Sequence, residues 1–172
     1  MSHRRRYFLL SALRESNRYP ISLNIAKFER YGEEAVFVQS NDLVRAVCDD
    51  AKSEPDIVYE YNLALVVSEK LKLILEEFGE IDSKKLTIAK SPKKLHTRYY
   101  VIRPKAVLAC ANESESRLIA PGRWSRFVLD ETCVPSDVHV FRAMGTSRDF
   151  VSDQVRLKCD ECGVKGLEWT HV

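Results

Sequence analysis

The sequence predicts an α+β fold: a single domain over 1–172, with two related strand–helix–strand units around a mixed or antiparallel sheet. Three observations predict it. Residues 67–79 (VSEKLKLILEEFG) and 151–163 (VSDQVRLKCDECG) align without a gap and are identical at Val67/Val151, Ser68/Ser152, Leu73/Leu157, Glu77/Glu161 and Gly79/Gly163. Each copy carries the start and stop signals of a short helix. Each is flanked by segments rich in β-branched and aromatic residues, the composition of strands. An internal repeat constrains the architecture before any single residue does. Two copies with different insertions are too few for a solenoid.

In chain order, Tyr7–Leu13 reads as a first strand. Residues 24–31 are ambiguous. Ala35–Val38 reads as a strand. Asn41 or Asp42 caps a helix running to about Lys52, with Leu43, Val44 and Val47 apolar and Pro55 beyond its end. The first repeat unit covers 57–88: a strand at Ile57–Tyr61, the helix, and a strand at Leu86–Ile88. Ser68 is a good N-cap, Glu69 places negative charge at the positive end of the helix dipole, and Gly79 sits where a left-handed C′ residue is expected. Leu71, Ile74, Leu75 and Phe78 form one apolar face at helical spacing.

Tyr99–Ile102 and Ala106–Ala109 read as strand segments separated by Pro104, which suggests an edge strand or a bulge. Asn112–Arg126 is polar with a Pro121-Gly122 turn signal, and Phe127–Leu129 reads as a strand. The second unit covers 139–172: a strand at His139–Arg142, a helix capped by Ser152 and closed by Gly163, and a strand at Leu167–Trp169. Lobes at 1–56 and 57–172 are compatible with the length.

Composition excludes some classes. No apolar run reaches membrane length. The basic start His3-Arg4-Arg5-Arg6 leads only into a short apolar stretch without a small-residue cleavage site, so a signal peptide is not expected. Five cysteines, an odd number, fit reduced thiols in a cytoplasmic protein. Net charge is only +2, but it comes in blocks: residues 1–30 carry seven Lys/Arg against two acids, and residues 31–60 carry two against eight. The acidic block (Glu33, Glu34, Asp42, Asp49, Asp50, Glu54, Asp56) can steer a basic protein partner.

The motifs that suggest chemistry have simpler readings. Cys159 and Cys162 form a C-x-x-C, but there is no second such pair to complete a four-ligand zinc site. The repeat aligns Cys159 with Leu75 and Cys162 with Phe78, so both are expected in the core, where a free thiol packs as a small hydrophobe. Ser68 and Ser152 are accounted for as caps. No catalytic residue, metal site or cofactor site is therefore expected. The stretch Lys84–Lys105 interleaves basic residues with Tyr99 and Tyr100 and suggests, as an alternative function, a nucleic-acid-binding module. The near-neutral chain makes nucleic acid the less favoured partner. Trp124 and Arg126, in a polar loop, are candidate anchors because Trp and Arg are enriched at binding hot spots.

The segments Val67–Gly79, Tyr99–Ile102, Val140–Arg142, Val151–Val155 and Gly163–Trp169 together resemble a bacterial family of immunity proteins of polymorphic toxin systems. The resemblance covers roughly 57–172 and leaves out the N-terminal third. It departs from the family pattern at 109–114, where an aspartate-and-serine segment is only loosely matched. It implies a non-enzymatic cytoplasmic protein that binds and neutralises a cognate protein toxin, with no cofactor and no membrane association; a homodimer is compatible. Candidate contacts are Asp49, Asp50, Glu54, Asp56, Trp124 and Arg126.

Overall fold

The computed structural model describes residues 6–12, 22–23, 45–47, 54–58, 65–90, 97–120 and 123–172. The expected elements at 24–31 and 35–38 lie outside them. The first unit contains β4 (Ile57–Val58), β5 (Leu65–Ser68), α1 (Glu69–Phe78), β6 (Ile81–Lys85) and β8 (Tyr99–Pro104). These strands form an antiparallel sheet in the order β4-β5-β8-β6. The second unit contains β12 (Val140–Ala143), β13 (Asp149–Ser152), α2 (Asp153–Glu161) and β14 (Leu167–His171). Its sheet runs β14-β1-β13-β12-β9, with β1 at Tyr7–Ala12 and β9 at Val107–Leu108.

Residue registers show that the two sheets are copies. Ser68, Val67 and Val66 of β5 face Tyr99, Tyr100 and Val101 of β8. Ser152, Val151 and Phe150 of β13 face Tyr7, Phe8 and Leu9 of β1. So β1 takes the place of β8, although β8 follows its helix and β1 lies far before α2 in the chain. The remaining pairs agree: Ile57 faces Val67 as Val140 faces Val151, and Ile81–Lys85 flank β8 as Leu167–His171 flank β1. Side-chain detail repeats as well. The Tyr99 hydroxyl donates to the Pro55 carbonyl (2.8 Å) and the Tyr7 hydroxyl to the Val138 carbonyl (3.5 Å). Glu69 N–H donates to Arg98 O (2.8 Å), and Asp153 N–H to Arg6 O (2.9 Å). The fold is a duplicated unit whose second copy is completed by a strand from the N-terminal end.

The elements follow from local chemistry. β5 (LVVS), β12 (VFRA) and β13 (DFVS) are buried along their whole length, so their sequences lack the apolar–polar alternation of a half-exposed strand, and the two charges they carry, Arg142 and Asp149, pair with each other. α1 buries Leu71, Ile74 and Leu75, and the Ser68 hydroxyl accepts from Leu71 N–H at 3.1 Å. α2 buries Val155 and Cys159. One core joins both units through Phe8, Leu10, Ile57, Val67, Leu75 and Val155. Burying a side chain such as the fully enclosed Leu75 stabilises by about 2 kcal/mol. A second cluster stacks Phe141 on its cross-strand partner Phe150 (5.5 Å) and Phe150 on Phe127 (5.7 Å).

Several expectations are corrected. Arg45–Val47, inside the expected 41–52 helix, form a strand, β3, between β2 (Ser22–Leu23) and β7 (Thr87–Lys90). Backbone pairing to distant strands overrides the local helical pattern there. The strand following α1 is β6 at Ile81–Lys85, not only the later 87–90 segment. β8 is central rather than an edge; Pro104 is accommodated as its last residue. Residues 127–129 make only an isolated bridge, Ala111 to Leu129. The polar stretch 112–126 contains a hairpin, β10 (Arg117–Ala120) and β11 (Arg123–Arg126). Gly163 is left-handed as expected (φ 61°), but Gly79 is extended (φ −179°), because the chain passes from α1 almost directly into β6. Cys162 is exposed rather than packed.

Candidate functional site

The serines that open the two helices occupy equivalent positions, and so do their partners. Ser68 donates to Asp56 Oδ1 (2.6 Å), and Ser152 Oγ lies 2.8 Å from His139 Nδ1. Asp56 and His139 each stand one residue before the first strand of their unit, and each carbonyl accepts from the serine N–H (2.7 and 2.8 Å). A Ser–His contact taken alone resembles a nucleophile with its base. Here Ser152 is fully buried, and the same position in the other unit holds a helix cap. The two differ in one respect. Ser152 makes no side-chain cap bond, so its hydroxyl serves the link to His139.

Asp56 also ties the units together. Its Oδ2 accepts from Lys165 N–H (2.9 Å), and its own N–H donates to Lys165 O (2.9 Å). Lys70 Nζ approaches the same carboxylate (3.5 Å) and donates to Gly163 O (2.8 Å). Glu54 is half-buried and accepts from Thr97 N–H (2.7 Å). Of the acidic contact candidates, Glu54 and Asp56 thus serve internal bonds. Asp49 and Asp50 lie outside the described residues.

The cysteines divide by environment. Cys159 is fully buried and its pKa is pushed up to about 12, chiefly by burial, with Asp160 adding to it. Burial likewise pushes Cys110 up to about 11. Cys133 is exposed, and its hydrogen bond to Asp130 (3.4 Å) raises its pKa. A neutral thiol is neither a nucleophile nor a metal ligand. Among the described residues no group of three or more His, Cys, Asp or Glu is placed to hold a metal ion.

The basic stretch is dispersed. Tyr99 is buried with its hydroxyl on Pro55, and Tyr100 donates to Glu69 (3.1 Å). Arg98 pairs with Glu69 (3.4 Å) and Lys105 with Glu80 (3.2 Å). The two rings are therefore not presented as a stacking platform. A cleft of about 660 Å³ is lined by Arg6, Glu115, Asp130, Glu131 and His171 among others. Two of its carboxylates have local duties: Asp130 caps Thr132 (3.0 Å) and Glu115 accepts from Asn112 (3.1 Å).

The β10–β11 hairpin places the last two candidates. It stands between the two units in sequence and has no counterpart in either among the described residues. Its root is fixed: Ser116 Oγ accepts from Val128 N–H (3.0 Å), and half-buried Trp124 packs edge-on against Phe127 (5.7 Å, 86°). Trp124 Nε1 is buried with no hydrogen-bond partner among the described residues. Arg126 is exposed and faces Arg117 directly across the hairpin. Residue-level reading of the sequence missed Leu118 and Ile119, which are 56% and 59% exposed. Their signal was present, a short apolar step before Pro121-Gly122 with strand-like residues on both sides.

Among the described residues no helix is long and apolar enough to cross a membrane. No protein-family model matches this chain, and no curated protein matches it.

Proposed function

We propose that this chain is a cytoplasmic immunity protein, which binds a cognate bacterial protein toxin and neutralises it by occluding its active site or substrate groove. One observation carries the reading. The five segments on which the resemblance rests are not scattered. Val67–Gly79, Tyr99–Ile102, Val140–Arg142, Val151–Val155 and Gly163–Trp169 are strands, helices and turns of the two matched units, and each contributes residues to the core that joins them, Leu71, Ile102, Val140, Val155 and Leu167 among them. The resemblance therefore follows a whole scaffold. Such a scaffold leaves its inserted segments free to differ between members, which is what recognition of different toxins requires.

The test is co-expression. A toxin-like reading frame is expected adjacent to this gene, and its product should arrest growth when expressed alone. Growth should recover when this chain is expressed with it, and the two should copurify at one-to-one stoichiometry. No rescue together with no complex removes the reading. The nucleic-acid alternative predicts binding that weakens steeply with salt; a gel shift with DNA or RNA at low salt in place of toxin binding would establish it instead.

A further inference from the structure

The β10–β11 hairpin has two properties that the fold does not explain. The first is charge. Residues 117–126 contain Arg117, Arg123 and Arg126 and no Asp or Glu. Arg117 and Arg126 are direct cross-strand partners. Opposed like charges destabilise a hairpin, because their Cβ atoms stand only about 5 Å apart. Neither arginine has an ion pair with another described residue. The second property is apolar exposure. All four residues of β10 are exposed, and the consecutive Leu118 and Ile119 are each more than half exposed. The hairpin is nonetheless held in place at its root by Trp124 against Phe127, itself part of the second core cluster.

A pre-positioned arm with two cross-strand arginines and two exposed aliphatic side chains is suited to a specific class of partner. Paired arginines grip carboxylates, where planar, bidentate hydrogen bonding and relief of their mutual repulsion act together. Leucine and isoleucine gain by burial against an apolar surface and nothing by lying along a sugar–phosphate backbone. We propose that the β10–β11 arm is the principal contact by which this chain holds its partner, and that the partner presents an acidic protein surface with an apolar depression at its centre. The proposal rests on the immunity reading for the existence of a protein partner. It moves the contact away from the acidic block and reverses the charge expected of the toxin.

The experiment measures binding of the full chain to the catalytically inactivated product of the toxin-like reading frame expected beside this gene. It compares wild type, Arg117→Glu/Arg126→Glu, and Leu118→Ser/Ile119→Ser, with Leu73→Ser as a control on another exposed leucine. All five positions are exposed, so each variant should melt as wild type does. Each arm variant should lose at least about 30-fold in affinity, the scale of a hot spot, while Leu73→Ser changes nothing. A photo-crosslinker at position 119 should join the arm to an acidic segment of the partner. Tight wild-type binding with unchanged affinity in both arm variants overturns the arm and leaves the immunity reading standing. No binding by the wild type overturns both. Loss of affinity confined to the arginine variant, with a matching loss of binding to a 20-nucleotide DNA probe, overturns the protein surface in favour of nucleic acid. Concentration-dependent self-association that both arm variants abolish overturns it in favour of a second copy of this chain.

Discussion

Replacing Asp149 by alanine should be as damaging as truncating a core phenylalanine of the second unit, although it removes little apolar surface. Asp149 and Arg142 are cross-strand partners in the β12–β13 hairpin. Their bond is bidentate, Nε to Oδ1 at 2.7 Å and NH2 to Oδ2 at 2.9 Å. The two side chains are 0% and 3% exposed. Without the carboxylate, Arg142 keeps its charge, since a guanidinium is not neutralised in a protein, and at 3% exposure solvent reaches it too little to replace the two lost bonds. Breaking a buried pair from one side costs about 3–5 kcal/mol. For a chain of this size that lowers the melting temperature by about 6–20 °C. The assay is urea unfolding followed by far-ultraviolet circular dichroism. The double variant Arg142→Met/Asp149→Leu should recover to within about 1.5 kcal/mol of wild type, because apolar replacement removes the desolvation cost as well as the attraction. The first unit supports this, having Leu65 at the position of Asp149. A loss below about 1 kcal/mol for Asp149→Ala, or a double variant no better than the single, would refute the reasoning.

Ser68→Ala should cost about 1–2 kcal/mol, because Ser68 caps α1, while Ser152→Ala should cost less than about 1 kcal/mol, since Ser152 makes no cap bond; equilibrium unfolding of both variants decides. Gly166→Ala should destabilise more than Gly163→Ala: both glycines are left-handed, but only at Gly166 would a Cβ meet another atom closely, Pro55 Cβ at 3.0 Å. Among the described cysteines, thiol labelling at pH 8 should modify Cys162 first and Cys133 more slowly, with Cys110 and Cys159 protected until unfolding, as peptide mapping would show. Burial raises the folded-state pKa of Cys110 and Cys159 to about 11 and about 12, so above the usual thiol value of about 8.5 the unfolded chain loses protons first. Stability should therefore fall as pH rises from about 9 towards 12. The fall should be shallower in Cys110→Ala/Cys159→Ala; an equal slope would refute it.

The chain by itself determined the class of fold, the existence of two copies, both helices and the burial of Cys159. These are local matters: a cap residue, a helical apolar stripe and a repeated segment each leave a signature within about ten residues. Tertiary structure decided which strand completes each copy. β8 follows its unit in the chain, whereas β1 reaches the second unit from the N-terminal end, and only registers such as Tyr7 with Ser152 and Tyr99 with Ser68 reveal the equivalence. Strand pairing is non-local, so a six-residue strand carries no mark of its partner. The same cause placed Arg45–Val47 in a sheet against their helical pattern. Asp56 was legible as an acid in an acidic run, but its internal use required Lys165, more than a hundred residues away, to meet it. The arm was legible only as a polar loop. Its arginines and its Leu118 and Ile119 acquire meaning once the hairpin register opposes the former and the core leaves the latter in water.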